Sequence, residues 1–257
     1  MASSLSPASR APGGPGAFEP EDRRRLARAV DRAREALARP PEALLPAALR
    51  GGRAGRVLVG RCGFAHHALL LFPSTARAAL AAFAEAGLDP ARPVPSVVVK
   101  ERLAARYGLE PGRCEVWVTR LLLTGPDAAR GRPAVEAFLF PRSCAALDAR
   151  IVREERRRGL EDHTAFSVAG PDERMLEALL DALDGSALCW EGGGYNPHEG
   201  PYGSTVLYFV GTEGGTEGGA LRRWELSCPG DFRAVTERHP VDAGAVARAY
   251  AASARPR

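Results

Sequence analysis

Two histidines and two glutamates stand at matching places in the two halves of this sequence. His67 and His163 open the apolar segments HALLLF and HTAFSV, and Glu136 and Glu225 lie in the later segments VEAFLFPR and WELSCPG. Alternate side chains of a strand share a face, so these ionisable residues head largely apolar faces. Burying unpaired charges is costly, whereas a divalent metal binds two neutral imidazoles and up to two carboxylates. The pattern therefore favours a metal site built from all four residues.

Each of these residues also has a simpler interpretation. A single histidine on a strand is often a structural hydrogen-bonding group, and Glu136 could pair with an arginine instead of a metal. His66 points to the opposite face from His67 in a regular strand, so it becomes the ligand only if the register shifts by one residue. The joint placement of two histidines and Glu225 is what favours the metal.

The elements that must position these residues follow the same order twice. A first helix is expected over residues 21–37, and the charged stretch 147–159 is expected to be a helical linker between the two halves. Each half then reads as a strand, a helix and several strands, which is a duplicated βαβββ plan. The expected elements are strands at 56–60 and 67–72, a helix from Ser74 or Thr75 to Ala86, a helical piece near 100–107, strands at 115–123, 134–140 and 163–168, a helix over 171–183, and strands near 188–190, 204–210 and 221–228.

In these segments the chain resembles the vicinal oxygen chelate superfamily, which includes glyoxalase I and the extradiol dioxygenases. The resemblance covers roughly residues 56–233 and rests on DHTAFSV, RWELSCPGDF, HHALLLF and VEAFLFPR. It implies an α+β fold in which two tandem βαβββ modules form an open mixed β-barrel around one metal site, here with an N-terminal helical extension. By position, it implies His67, His163 and Glu225 as ligands, with Glu136 as an optional fourth. The expected regions are a disordered leader (1–20), the helical extension (21–52), the first module (53–145), a helical linker (146–160), the second module (161–240) and a C-terminal helix or tail (241–257).

The ligand count separates two enzyme hypotheses. Three ligands would suit Fe(II) and an oxygenase, whereas a fourth, Glu136, would match glyoxalase I, in which Ni(II), Zn(II) or Mn(II) serves an isomerase, lyase or epimerase and a carboxylate moves the proton. The segment 97–123 is also similar to part of the 2-oxoadipate dioxygenase/decarboxylase family, which favours an Fe(II) oxygenase acting on a small carboxylate or 2-oxo acid. A third hypothesis is a metal-free protein that binds a small molecule such as an antibiotic.

The segment 191–204, EGGGYNPHEGPYGS, is expected to be an irregular loop rich in hydrogen-bonding side chains. Such a loop could cover the metal cavity and orient the substrate. We therefore expect Tyr195 and His198, together with Glu136 as a proton-moving carboxylate, to be catalytic.

Composition excludes several other classes. The 257 residues are 45% hydrophobic and 26% charged, which is typical of a globular protein, and no apolar run reaches the ~18 residues of a membrane span. The net charge of +4 comes from scattered arginines, so we expect no nucleic-acid partner. Five widely spaced cysteines and an N-terminus without an apolar signal favour a reduced, cytoplasmic protein. We expect a monomer or homodimer whose partner is a small-molecule substrate.

Overall fold

The computed structural model describes residues 16–123, 133–183, 186, 188–197, 201–211 and 222–253. The described residues form an α+β fold with a mixed sheet of nine strands. The helices are α1 (Pro20–Leu37), α2 (Ala47–Arg50), α3 (Gly52–Arg61), α4 (Ala76–Glu85), α5 (Val97–Tyr107), α6 (Ala149–Arg158), α7 (Glu173–Asp181), α8 (Arg233–Arg238) and α9 (Ala243–Ser253), with short 3-10 helices at Pro41–Ala43 and Pro111–Arg113. The strands are β1 (Cys62–Leu71), β2 (Leu88–Pro90), β3 (Val94–Pro95), β4 (Trp117–Leu123), β5 (Pro133–Leu139), β6 (His163–Val168), β7 (Leu188–Asn196), β8 (Ser204–Gly211) and β9 (Arg222–Pro229).

Capping residues set the ends of the helices that the sequence predicts best. The side chain of Thr75 accepts a hydrogen bond from the backbone N–H of Ala78 at the start of α4, and Gly87 follows the helix with a φ of 74°. Asp172 caps α7 in the same way through the N–H of Met175. The predicted helices at these places, and the one predicted over 21–37, are confirmed.

The strand predicted over residues 56–60 is wrong, because this segment belongs to helix α3. Its valines suggest a strand locally, but Leu58 is fully buried in a core that it shares with Leu45 and Leu49. Helical spacing lets α3 bury this side while it packs against α7. Tertiary packing overrides the weak preference of β-branched residues for strands here.

The chain divides into two compact units. Unit 1 comprises Met1–Asp31 and Leu69–Arg156. In this unit β4 pairs with β2, β3 and β5, all antiparallel, and Arg120 of β4 lies opposite Glu136 of β5. The core of unit 1 contains the fully buried side chains Phe72, Phe83, Leu103, Leu121 and Phe140.

Unit 2 comprises Arg32–Ala68 and Arg157–Arg257. Its strands lie in the order β1-β6-β9-β8-β7, with β6 and β9 parallel and the other pairs antiparallel. One face of this sheet packs on helices α3 and α7 through a core that includes Phe166, Leu207, Phe209, Trp224 and Leu226. The opposite face carries the polar residues considered below.

The sheet does not close, so the barrel in the predicted fold is not supported. The end strands are β2 in unit 1 and β7 in unit 2, and each has one neighbour along the described sheet. A closed barrel requires two neighbours for every strand. The α+β class and the mixed sheet are confirmed.

Part of the predicted irregular segment is also regular. Residues 191–196 continue β7 and pair with β8 as far as Asn196 opposite Ser204. Most of the leader predicted over residues 1–20 lies outside the described residues, which begin at residue 16. Among the described helices, none is both long enough and apolar enough to span a bilayer.

Candidate metal centre

A β-bulge in β1 decides which of two consecutive histidines lies on the polar face of unit 2. Phe64 lies opposite Phe166 of β6, whereas His66 lies opposite Ala165, so one extra residue is accommodated between them. A bulge reverses the alternation of the residues that follow it. His66 therefore shares a face with Ala165, and its side chain is 9% exposed.

His163 opens β6 on the same face, two residues before Ala165. Its Nδ1 lies 2.9 Å from the backbone carbonyl oxygen of Glu161. A carbonyl oxygen can only accept, so Nδ1 carries the proton and Nε2 has the lone pair in the neutral ring. The ring of His66 meets that of His163 edge to face, with 5.8 Å between the ring centroids.

Glu225 reaches this face from β9. It lies opposite Ala165 in the parallel β6–β9 pair, and its Oε2 is 3.2 Å from Nε2 of His163. Burial by itself raises the pKa of Glu225, but a proton on Nε2 of His163 that donates to the carboxylate, the charge of protonated His163 and His66, and the hydroxyl of Tyr208 together favour the carboxylate and lower the pKa to about 2. Glu225 is therefore an ionised carboxylate that is only 6% exposed.

Ala165 occupies the middle of the row formed by His66, Ala165 and Glu225. Neighbouring strands lie ~4.8 Å apart, so His66 and Glu225 flank a residue whose side chain is a single methyl group. Ala165 is fully buried. The small side chain leaves room between the two larger, polar ones.

Two further residues on this face surround Glu225. Tyr208 of β8 lies directly opposite Glu225 and donates a hydrogen bond to its carboxylate. The guanidinium carbon of Arg223, two residues before Glu225, lies 4.2 Å from the centroid of the Tyr208 ring. Arg223 is buried, and its Nε donates to the carboxylate of Glu191.

His67, the histidine preferred from the sequence, lies in different surroundings. Its Nδ1 is 2.9 Å from the hydroxyl oxygen of Thr164, and its ring packs against Phe64 at a centroid distance of 5.1 Å. Burial lowers the pKa of His67 to about 4, and the charge of Arg32 acts in the same direction. The structure thus gives His67 a neutral, hydrogen-bonded environment.

Glu136 lies in β5 of unit 1, where it is 8% exposed. The Nε of Arg120 donates a hydrogen bond to Oε1 of Glu136 at 3.1 Å. Pairing with an arginine is the alternative to metal binding that the sequence offers for Glu136. In unit 2, ligand atoms of His66 and His163 lie within 4.8 Å of each other, close enough to share a metal ion. The identity of such a metal is not fixed by these side chains alone, because several divalent ions accept imidazole and carboxylate ligands.

Tyr195, one of the two loop residues predicted to be catalytic, makes its contacts at the far end of β7. Tyr195 lies near the end of β7, where its hydroxyl donates to the carbonyl oxygen of Tyr202 and Arg233 lies over its ring. It also packs against Gly203, which has a φ of 69° and no room for a side chain. His198 lies outside the described residues.

Sequence reasoning missed Tyr208 and Glu191. Tyr208 gives no local signal, because it stands in an ordinary strand pattern. Glu191 does give one: it precedes three glycines, and a second bulge lies between Trp190 and Gly192. Glycines inside a strand commonly mark bulges that re-aim a side chain next to a functional site.

No family model, no curated protein and no solved structure matches this chain.

Proposed function

We propose that this protein is a metal-dependent enzyme and that His66, His163 and Glu225 hold its divalent metal ion. The contact of 3.2 Å between Nε2 of His163 and Oε2 of Glu225 carries this proposal. Because Nδ1 of His163 faces a carbonyl oxygen, the lone pair of Nε2 faces a carboxylate oxygen. Two electron-rich atoms approach this closely only with a cation, either a proton on Nε2 or a metal ion. His66, whose ring meets that of His163 edge to face, is the third proposed ligand.

The chemistry of the donor set favours iron. Two imidazoles and one carboxylate are the donor set of non-haem Fe(II) oxygenases, in which the iron has open positions for substrate and O₂. We therefore propose an Fe(II) oxygenase as the first candidate. Its substrate class, a small carboxylate or 2-oxo acid, rests on the sequence resemblance of residues 97–123.

The neighbouring residues of unit 2 have supporting roles in this proposal. The carbonyl of Glu161 fixes the ring orientation and the tautomer of His163, which is the usual arrangement around a ligating histidine. The hydroxyl of Tyr208 holds the carboxylate of Glu225. The methyl group of Ala165 leaves space between the ligands, and Ala165 itself is fully buried.

A second candidate is an isomerase or lyase with four ligands. It follows from the sequence resemblance, in which Glu136 is the fourth ligand, and Glu136 is a buried carboxylate that is 8% exposed. In this alternative Ni(II), Zn(II) or Mn(II) replaces iron, and Glu136 is available to accept a proton from the substrate. Turnover that does not require oxygen would distinguish this enzyme from the oxygenase.

Metal binding is the first test of the proposal. The protein, prepared anaerobically and freed of metal, should bind one equivalent of Fe(II), and nitric oxide should then produce the EPR signal of an Fe(II)–nitrosyl complex. Binding of Ni(II), Mn(II) or Zn(II) with oxygen-independent turnover would favour the second candidate. Failure to bind any of these ions would refute both enzymes and favour a metal-free binding protein.

The ligand assignment has its own test. His163→Ala and Glu225→Ala should each abolish metal binding while the fold, followed by circular dichroism, is kept. His239→Ala is the matched control. Nδ1 of His239 lies 3.7 Å from Oδ1 of Asp181, which is not one of the proposed ligands. Full metal content in either ligand variant would show that the assignment is wrong.

A further inference from the structure

A continuous series of contacts leads from Glu225 to the C-terminal helix of unit 2. Tyr208 donates to the carboxylate of Glu225, and the guanidinium of Arg223 lies over the face of the Tyr208 ring at 4.2 Å. A cation over an aromatic face is attracted by the ring, more strongly when water is excluded. The Arg223 side chain is 2% exposed, so the stack is in a dry environment.

Arg223 is held in this position by carboxylates. Its Nε donates to Oε2 of Glu191, and its Nη1 lies 3.6 Å from Oε2 of Glu161. Glu161 is also the residue whose carbonyl oxygen faces His163. Arg223 therefore contacts the residues that orient two of the proposed ligands.

Glu191 is in turn held by a residue of helix α9. It lies at the bulge of β7, and the hydroxyl of Tyr250 in α9 donates to its Oε1. Helix α9 packs against β7 and β8. The carboxylate of Glu191 thus accepts one hydrogen bond from Tyr250 of α9 and one from Arg223 of β9, the strand that also carries Glu225.

We propose that Arg223 is a positioning residue of the metal centre and that α9 keeps it in place through Tyr250 and Glu191. This inference rests on the proposed function, because it assigns a role toward Glu225 as a ligand. A planar guanidinium bound at one edge and stacked on a ring has one orientation, so it fixes the ring of Tyr208 and with it the carboxylate of Glu225. Lysine cannot replace it, because an ammonium neither stacks nor presents a fork of donors.

Cobalt(II) binding to the full chain tests this inference, since the visible absorption of Co(II) reports on ligand geometry. Residues that orient ligands typically change metal affinity by ~10–100-fold, so Arg223→Met and Arg223→Lys should weaken Co(II) binding by this factor. Tyr250→Phe keeps the ring and removes only the hydroxyl. It should weaken binding in the same direction by about threefold or more, and it should shift the absorption bands.

Tyr107→Phe is the matched control. It removes a tyrosine hydroxyl that donates to a buried glutamate, Glu155, at 2.8 Å in unit 1. It should lower thermal stability without changing the Co(II) affinity or spectrum.

Two outcomes are separable. If the wild type binds Co(II) and Tyr250→Phe, a folded variant, binds it with the same affinity and spectrum, the positioning role is refuted and the proposed function stands. If the wild type binds no Co(II), the proposed function fails and this inference fails with it. Misfolding of an Arg223 variant does not affect the result for Tyr250.

Discussion

His67 provides a sharp prediction, because the structure makes it a neutral side chain within the fold. Burial lowers its pKa from the usual 6.5 to about 4. The unfolded chain therefore binds a proton at this residue below about pH 6.5, whereas the folded chain does so only below about pH 4. Stability falls wherever the unfolded state binds more protons as the pH is lowered. The contribution of His67 is thus lost between about pH 6.5 and pH 4.

The size of this loss follows from the difference between the two pKa values. At ~1.36 kcal/mol per pKa unit, the difference between 6.5 and about 4 corresponds to about 3 kcal/mol. His67→Asn removes the titrating group and keeps a side chain that can hydrogen bond to Thr164. The free energy of unfolding of this variant should fall by about 3 kcal/mol less than that of the wild type over this pH range.

Urea unfolding at pH 7.5, 6, 5 and 4, in the presence of a chelator, measures the effect. The charged and titrating groups that act on His67, namely Arg32, His66 and His163, are present in both proteins, so the difference reports His67 together with its interactions with them. An identical pH dependence in the two proteins would refute the buried, neutral state of His67.

Three further predictions concern metal affinity and strand packing. Glu136→Gln should reduce metal affinity less than about tenfold in the three-ligand site, because Glu136 already pairs with Arg120; near-total loss by calorimetric titration would instead support four ligands. Ala165→Val should abolish metal binding without removing a ligand, because it fills the space between His66 and Glu225; unchanged affinity would show that this space is not the site. Gly193→Ala should destabilise the protein by ~1–3 kcal/mol, because a Cβ at this position would lie 2.3 Å from the carbonyl oxygen of Val206. Gly194→Ala is the control: there is open space around Gly194, so stability should change by less than ~0.5 kcal/mol. Equal melting temperatures for the two variants would contradict the β7–β8 pairing.

Local signals were sufficient for several helices but not for the strand that carries the histidines. The cap at Thr75 and the glycine at position 87 lie within one turn of the ends of α4, so the sequence predicts that helix closely. The bulge before His66 arises from pairing with β6, about one hundred residues later in the chain. No local pattern in FAHH distinguishes a bulged strand from a regular one, so the sequence alone does not predict that His66 shares a face with Ala165.

Pairing with another strand also explains why the segment that begins at Glu191 is regular and not a loop. Glycines at 192–194 suggest a loop, but in the sheet one of them meets a real steric requirement, because Gly193 lies against the backbone of β8. The placement of His163 and Glu225 on one face could be predicted, since it follows directly from alternation within each strand. Tyr208, Arg223 and Tyr250 could not be connected, because their contacts join three separate elements of unit 2.

Metal binding by His66, and not by His67, is the property to be measured. Equilibrium dialysis against Co(II), followed by elemental analysis, should give one equivalent bound to the wild type and to His67→Asn, and none to His66→Ala at the same metal concentration. Metal retained by His66→Ala and lost by His67→Asn, or no metal bound by the wild type, would contradict it.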